Sequence, residues 1–369
     1  MTPAVDLIVV GAGIVGLAHA WAAVQRGWRV AVLERDAQAV GASVRNFGFI
    51  TVTGQGAGST WARARRSRDV WAQVAPQAGI EIVHEGLWLL ARRPAAWQVL
   101  EAFARTDMGQ GCSLHAPSKA PDWLNRSGAQ GALYSPHELR VESRTAIPQL
   151  AAWLAEQHGV HFAFGEEVLE RSAGGVVTNR RSWLAPRVVV CPGTGLQGLA
   201  RQWLAFRPLR LTRLQMLRWQ PERAVQLNAA LMSDLSLVRY AGYAALPEAE
   251  VLRQQLQSEC PEMLAAGVHL IAVQSTDGSL VVGDSHHDDT AASPFSSEAV
   301  DELVLRELRA CLAQPRGQVL ERWIGHYPIG LDQDALIDAP DAATRLVLIT
   351  SGTGASTAFA IAEEVIDAW

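Results

Sequence analysis

The sequence predicts an α/β fold in which a parallel sheet is interleaved with an antiparallel one. Three observations carry this: a strand, glycine turn, helix and strand over residues 6–34, two later apolar runs that end in glycine-rich turns, and hairpin-forming runs between them. Asp6-Leu7-Ile8-Val9-Val10 has the length and branching of a buried strand. From Ile14 to Arg26, Ile14, Leu17, Ala18, Trp21 and Ala22 recur at helical spacing, and Gly27 stops the helix. Val30-Ala31-Val32-Leu33-Glu34 is a second strand, so the unit is βαβ. Its turn, Gly11-Ala12-Gly13-Ile14-Val15-Gly16, is a dinucleotide fingerprint of the Rossmann type. Gly11 makes the turn, Gly13 lets backbone approach a pyrophosphate, and Gly16 lets helix pack on strand. The helix N-terminus offers unpaired N–H groups to phosphate. Glu34, at the end of the second strand, is placed to accept from ribose hydroxyls.

At 369 residues the chain is long enough for two domains, and its buried core should be large. A net charge of -5 with scattered basic residues predicts no nucleic-acid partner. The cluster Arg63, Arg65, Arg66 and Arg68 reads as a solvated helix face. Cys112, Cys191, Cys260 and Cys311 lie far apart with no CxxC pair, so neither a metal site nor a disulfide framework is expected and a reducing compartment fits. The apolar run from Val5 to Val24 lacks the basic leading segment of a signal peptide, and no later stretch is suited to crossing a bilayer. A cytoplasmic protein without membrane contact is the expectation, with its oligomeric state left open.

Later segments follow the same logic. Val188-Val189-Val190-Cys191-Pro192-Gly193-Thr194-Gly195 is a buried strand running into a glycine turn. Arg345 to Thr350 is a final strand, followed by Ser351-Gly352-Thr353-Gly354-Ala355-Ser356 and a C-terminal helix. Between these lie Val268 to Val273 and Ser279 to Val282, joined around Asp277-Gly278 and read as a hairpin with a type I′ turn. Leu209 to Trp219 reads as a strand with a phase slip, taken as a bulge, near Thr212-Arg213. Glu298 to Leu312 reads as a helix carrying Cys311 inward. Residues 95–130 show no clear pattern.

Gly41-Ala42-Ser43-Val44-Arg45-Asn46-Phe47-Gly48, after the second strand, resembles the flavin-binding segment of the D-amino-acid oxidase and glycine oxidase superfamily. The two later glycine turns are similar to the points where that family's chain returns to its cofactor. The resemblance implies FAD in a Rossmann-like, GR2-type domain made of residues 1–75, 145–205 and 320–369, with an antiparallel-sheet substrate domain of residues 76–144 and 206–319. It implies that Ala42 and Ser43 bind phosphate, and that Arg45, Asn46 and Gly48 lie beside the flavin ring. Arg35, Val168, Gly193 and Thr194 would border the nucleotide. Gly352, Thr353, Gly354, Ala355, Ser356 and Thr357 would start a helix aimed at the pyrimidine end, where its dipole stabilises reduced flavin. No His or Cys occurs between Gly41 and Gly56, so FAD is expected to be held without a covalent bond.

In that family a small amine loses hydride to flavin N5, the imine hydrolyses, and O2 or another acceptor reoxidises the cofactor. Amino-acid oxidases of the family carry an arginine in a Gly-Leu-Arg-Pro-like segment that grips the substrate carboxylate. Here the corresponding stretch is Gly325-His326-Tyr327-Pro328, so that clamp is missing. The segments Gly41 to Gly48, Leu214-Gln215-Met216-Leu217-Arg218 and Gly283-Asp284-Ser285-His286 are most similar to a bacterial subgroup associated with phosphonate breakdown. That implies an aminophosphonate, 2-aminoethylphosphonate or its N-methyl derivative, oxidised to an aldehyde. The alternative is a glycine, sarcosine or D-amino-acid oxidase. Candidate anion donors are Arg45, Arg239, Tyr240, His286, His287, His326 and Tyr327.

Overall fold

A computed structural model describes residues 4–289, 293–314 and 316–369. The first sheet has six strands in the order Ala335–Asp341, Thr344–Ile349, Arg187–Val190, Leu7–Val10, Val30–Glu34 and His161–Phe164. Its neighbours run parallel except for the hairpin of Ala335–Asp341 with Thr344–Ile349. Leu7, Ile8 and Val9 are completely buried, as expected for a strand covered on both faces.

The helices Ile14–Val24, Ser143–His158 and Gly354–Asp367 contribute to one core cluster with Leu7 and Val9. A β-carbon on Gly16 would collide with the Gly11 carbonyl oxygen, so that glycine is what lets the first helix sit so close. A second cluster, built on Ile8, Val188 and Leu346, packs against Trp183 of the small sheet Val168–Ser172, Gly175–Thr178 and Ser182–Leu184. Covering layers on both sides leave the ends of the parallel strands as the open edge, where such folds bind ligands.

The other sheet has ten strands. Its path runs His287–Asp289, Arg210–Pro221, Leu280–Gly283, Ile271–Gln274, Ala230–Met232, Ile82–Ala91, Gly131–Val141 and Phe49–Ile50. Gly317–Ile329 lies along Arg210–Pro221, and Ser113–His115 along Gly131–Val141. The pairings are antiparallel except for Ala230–Met232 with Ile82–Ala91. Helices Pro94–Phe103, Glu248–Glu259 and Glu298–Leu312 supply Leu100, Leu252 and Leu308 to its core.

The helix Glu298–Leu312 has the bounds read from sequence, and Cys311 is buried. Four readings need correction. Thr212 and Arg213 keep regular register with Tyr327 and His326, and the irregularity falls between Arg218 and Trp219. The apparent slip arises because Thr212 to Leu217 are buried on both faces of the strand, so alternation is lost without a bulge. The hairpin around Asp277-Gly278 exists, but among the described residues only Ala313 is a non-glycine with positive φ. Gly278 N instead bonds Ser275 O, with Gly278 at φ 81° and the Asp277 carboxylate accepting Ser279 N, so the turn is not type I′.

The basic cluster on helix Ser59–Gln77 is more than a solvated face. Arg63 and Arg66 each grip a carboxylate of the closing helix, Glu364 and Glu363, at distances down to 2.6 and 2.7 Å. Residues 95–130 hold all but the first residue of the helix Pro94–Phe103, which has five buried residues, a pattern that alanine-rich spacing concealed.

Candidate active site

The glycine turn is braced from two sides. Gly11 sits at φ 105°, and a β-carbon there would lie 2.5 Å from the Cys191 carbonyl oxygen at the end of the neighbouring strand. Ser43 Oγ accepts from Ile14 N at 2.9 Å, and a β-carbon on Gly13 would stand 2.9 Å from that hydroxyl. Glu34 Oε2 accepts from Ala12 N at 2.8 Å, while Oε1 accepts from Asp36 N at 3.1 Å. The Glu34 carboxylate therefore shapes the loop, a role that strand-end position alone did not indicate.

Two cavities meet at this turn. One, of about 440 Å³, is lined by Gly11, Gly13, Glu34, Arg35, Val168 and Thr194 among others. The second, of about 330 Å³, extends from Ile14 and Val15 to Gly352, Thr353, Gly354 and Ala355. Ala42, Ser43, Arg45, Gly193 and His326 line both, so the two form one trough running from the first glycine turn to the last. The small residues keep backbone bare along the path, since a β-carbon at Gly13 would fill the space before Ser43. The closing helix Gly354–Asp367 opens on the trough with no side-chain cap on its first N–H groups, which leaves them for an anionic partner.

Five residues expected at the cofactor do not line the trough. Ala12 contributes its N–H to Glu34, and Gly16 serves helix packing. Gly48, at φ 67°, packs on the Val141 carbonyl, where a β-carbon would clash. Ser356 Oγ accepts from Thr51 N at 2.8 Å, and Thr357 Oγ1 donates to Thr353 O at 3.0 Å. Both side chains are buried because the helix turns them inward one step past its exposed start.

Arg45 and Asn46 line the second cavity, yet much of their hydrogen-bonding capacity is committed. Arg45 Nε donates to Val40 O at 2.7 Å and a terminal nitrogen to Ile324 O at 3.5 Å. Asn46 Nδ2 donates to Ala42 O at 2.8 Å while Oδ1 accepts from Gly48 N at 2.7 Å. His326 is the opposite case: its Nε2 is buried without a hydrogen bond at the junction of the two cavities. Burial, with Arg45 and Arg213 nearby, holds its imidazole below the ordinary value and therefore neutral.

Beneath the antiparallel sheet a polar cluster forms at the far end of the same cavity. It draws His269, Asp284 and His286 from the Ile271–Gln274 and Leu280–Gly283 hairpin, Tyr327 from Gly317–Ile329, and Arg239 and Tyr240 from the turn after Asp234–Val238. His286 Nε2 lies 2.9 Å from the Tyr327 hydroxyl and Nδ1 3.3 Å from Gly267 O. Nδ1 must carry the proton to donate to a carbonyl, so Nε2 accepts from Tyr327. His269 Nε2 is 3.0 Å from Asp284 Oδ1, and His286 Nε2 is 3.9 Å from Oδ2.

Burial drives the His286 pKa down to about 3 against the pull of Asp284, and it lowers His269 in the same way. Burial pushes Tyr327 up to about 12 and Tyr240 upward too. Burial also presses the Asp284 carboxyl upward, but the His269 donor and the Arg239 cation outweigh it and hold its pKa below the ordinary value. At neutral pH the cluster thus holds one anion, Asp284, among neutral rings, with the Arg239 cation beside it.

His287 pairs with Arg213 in the sheet and is not among the residues lining either cavity. Sequence reasoning overlooked His269 and Asp284. The spacing Asp284-x-His286 puts two side chains on one side of an extended segment and was a readable signal; His269 had none, because only sheet pairing brings it there.

The chain matches the model of the DAO family, described as FAD dependent oxidoreductase, over residues 6–368. It belongs to that family and is an FAD-dependent oxidoreductase. No curated protein matches the chain by sequence. Among solved structures, glycine oxidase from Bacillus cereus is 15% identical with a TM-score of 0.79, covering 99% of this chain and 94% of that one. L-proline dehydrogenase from P. horikoshii is 18% identical with a TM-score of 0.79, covering 100% and 93%. L-alpha-glycerophosphate oxidase from Mycoplasma pneumoniae, solved with FAD bound, is 16% identical with a TM-score of 0.75, covering 100% and 95%. At such identities these likenesses establish the fold. Among the described residues no helix is long and apolar enough to cross a membrane.

Proposed function

We propose that this chain oxidises a small aminophosphonate, 2-aminoethylphosphonate or its N-methyl derivative, to an aldehyde, releasing ammonia or methylamine. The observation that carries this reading is convergence: residues of three segments that resemble the phosphonate-associated subgroup, Arg45, Met216 and Asp284 with His286, line one cavity. Those segments are far apart in sequence, so their meeting is a property of the fold. The missing carboxylate clamp at His326-Tyr327 and the presence of Arg239 in the cavity agree with an anion held from a different direction.

FAD, when bound, supplies the two-electron oxidation of the amine's carbon–nitrogen unit. We assign its binding, without a covalent link, to the Gly11–Gly16 turn, Ala42-Ser43, Gly193-Thr194 and the start of the closing helix. The positive end of that helix favours negative charge near Gly352 to Ala355. Arg239 is assigned to the phosphonate, with three anionic oxygens to satisfy. Tyr327, whose hydroxyl donates to His286, is held in a fixed position beside Gly352. The apolar walls, including Leu214, Met216 and Ile271, keep water from the reacting carbon. Dioxygen is the proposed acceptor, and the division into an FAD domain (1–75, 145–205, 320–369) and a substrate domain (76–144, 206–319) is part of the same proposal.

Purified protein should be yellow and should bleach anaerobically with 2-aminoethylphosphonate faster than with glycine, sarcosine or D-alanine. Preferential bleaching by an amino acid would replace this reading with that of an amino-acid oxidase, and bleaching by no amine would overturn both.

A further inference from the structure

Asp284 is a buried carboxylate that the substrate cavity leaves incompletely satisfied. It is 5% exposed, and although His269 Nε2 is 3.0 Å away, Asp284 Oδ1 makes no hydrogen bond of acceptable geometry; His269 Nδ1 is likewise unpartnered. A buried carboxylate oxygen whose nearest donor, His269 Nε2, is poorly aligned is incompletely satisfied, which marks the place where a ligand can supply a better donor. The groups facing it are His269, His286, Tyr240, Tyr327 and Arg239, with Asp288 beyond Tyr327. Of the other charged residues in the cavity, Arg45 is engaged with backbone carbonyls and Asp334 accepts from Thr60. Asp284, beside His269, and Arg239, beside the Tyr327 hydroxyl, therefore remain as the anion and the cation that face a ligand in the cavity.

We propose that Asp284 is the receptor for the substrate's ammonium group, so that the cavity binds a zwitterion with its cation on Asp284 and its anion on Arg239. This rests on the amine-oxidation reading above. An ammonium has three donors and can reach Oδ1 directly, converting an unsatisfied buried charge into a charge-assisted hydrogen bond.

The same three side chains, His269, Asp284 and His286, present donor atoms within 4.8 Å of one another, a spacing that a metal ion could also use. The Tyr327 hydroxyl donates to His286 Nε2 and so takes that nitrogen out of a metal's ligand set, which leaves Asp284 to the ammonium.

The test compares 2-aminoethylphosphonate with ethylphosphonate, which keeps the anion and lacks the amine, on the FAD-loaded protein. Asp284→Asn should raise KM for 2-aminoethylphosphonate by roughly 10- to 100-fold while changing Ki for ethylphosphonate less than about twofold, and Asp284→Glu should recover part of the loss. An unchanged KM, or equal loss of both ligands, overturns the assignment. Should the asparagine variant lose its flavin, the wild type decides: ethylphosphonate must bind at least about tenfold more weakly than 2-aminoethylphosphonate, and equal binding overturns the inference. One equivalent of a transition metal in the isolated protein, with amine binding lost on chelation, also overturns it. If the wild type is bleached by no amine, the amine reading itself falls; if it is bleached while Asp284→Asn behaves as wild type, only the ammonium site falls.

Discussion

Glu34 allows a quantitative test of how the cofactor loop is built. Its carboxylate accepts the Ala12 N–H at 2.8 Å and the Asp36 N–H at 3.1 Å, so Glu34→Ala leaves two backbone donors without their charged acceptor. Hydrogen bonds to charged groups contribute about 1.5–3 kcal/mol each. Glu34 is only partly buried, so water can reach Asp36 N, and we count about one such bond as lost, or about 1.5–3 kcal/mol. For a chain of this length that corresponds to a Tm about 2–4 °C lower in the FAD-free protein. The same loss of loop order should weaken FAD about tenfold to 150-fold.

The assay is a thermal melt of the FAD-free protein beside a fluorescence titration with FAD. If Glu34 served only a ribose, the melt of the FAD-free protein would not move and only the titration would. An unchanged melt would therefore refute the bracing role, and unchanged values in both measurements would remove Glu34 from the site altogether.

Other expectations follow from single contacts. Arg239→Ala should raise KM for 2-aminoethylphosphonate roughly 10- to 100-fold while leaving that of propylamine nearly unchanged, and equal effects would remove Arg239 from the anion site. Trp71 is buried, donates to Ala355 O at 2.9 Å and packs edge-on to Phe359, so Trp71→Phe should destabilise by about 1–3 kcal/mol and weaken FAD by loosening the helix start. Denaturant melts with and without FAD check this. The Arg29 side chain holds the Asp6 pKa at about 2, against an ordinary 3.8. Because the folded value is the depressed one, this pair's stabilisation is present above about pH 4 and disappears as pH falls toward 2. Asp6→Asn should make stability between those pH values less steep, by a small amount because both groups are solvent-screened.

Much of the scaffold was legible because its causes are local. Leu7–Val10, Ile14–Val24 and Val30–Glu34 arise from apolar runs and spacing, and each ends where a glycine or an acid says it should. Gly16 was read as a packing glycine from its place in the motif, and the clash a β-carbon would make with Gly11 bears this out. The helix Glu298–Leu312 was equally plain, its charged and apolar residues separating onto two faces. Where local signals competed, reading failed: Pro94–Phe103 hid behind alanine and tryptophan, and the double burial of Arg210–Pro221 passed for a bulge.

The sequence by itself determined that a dinucleotide fingerprint lies near the N-terminus, that two further glycine bends exist, and that the stretch Gly325-His326-Tyr327-Pro328 carries no arginine. Those facts reside in short stretches whose backbone geometry neighbouring residues dictate. Only the tertiary structure decided that His269, Asp284, His286, Tyr327 and Arg239 share one cavity, because strand pairing and a crossing turn bring them together from four places in the chain. It also decided which residues are ionised there. A charge state depends on burial and on neighbours that no local pattern encodes, so Asp284 could be recognised as the cavity's unsatisfied anion only once its surroundings were in place.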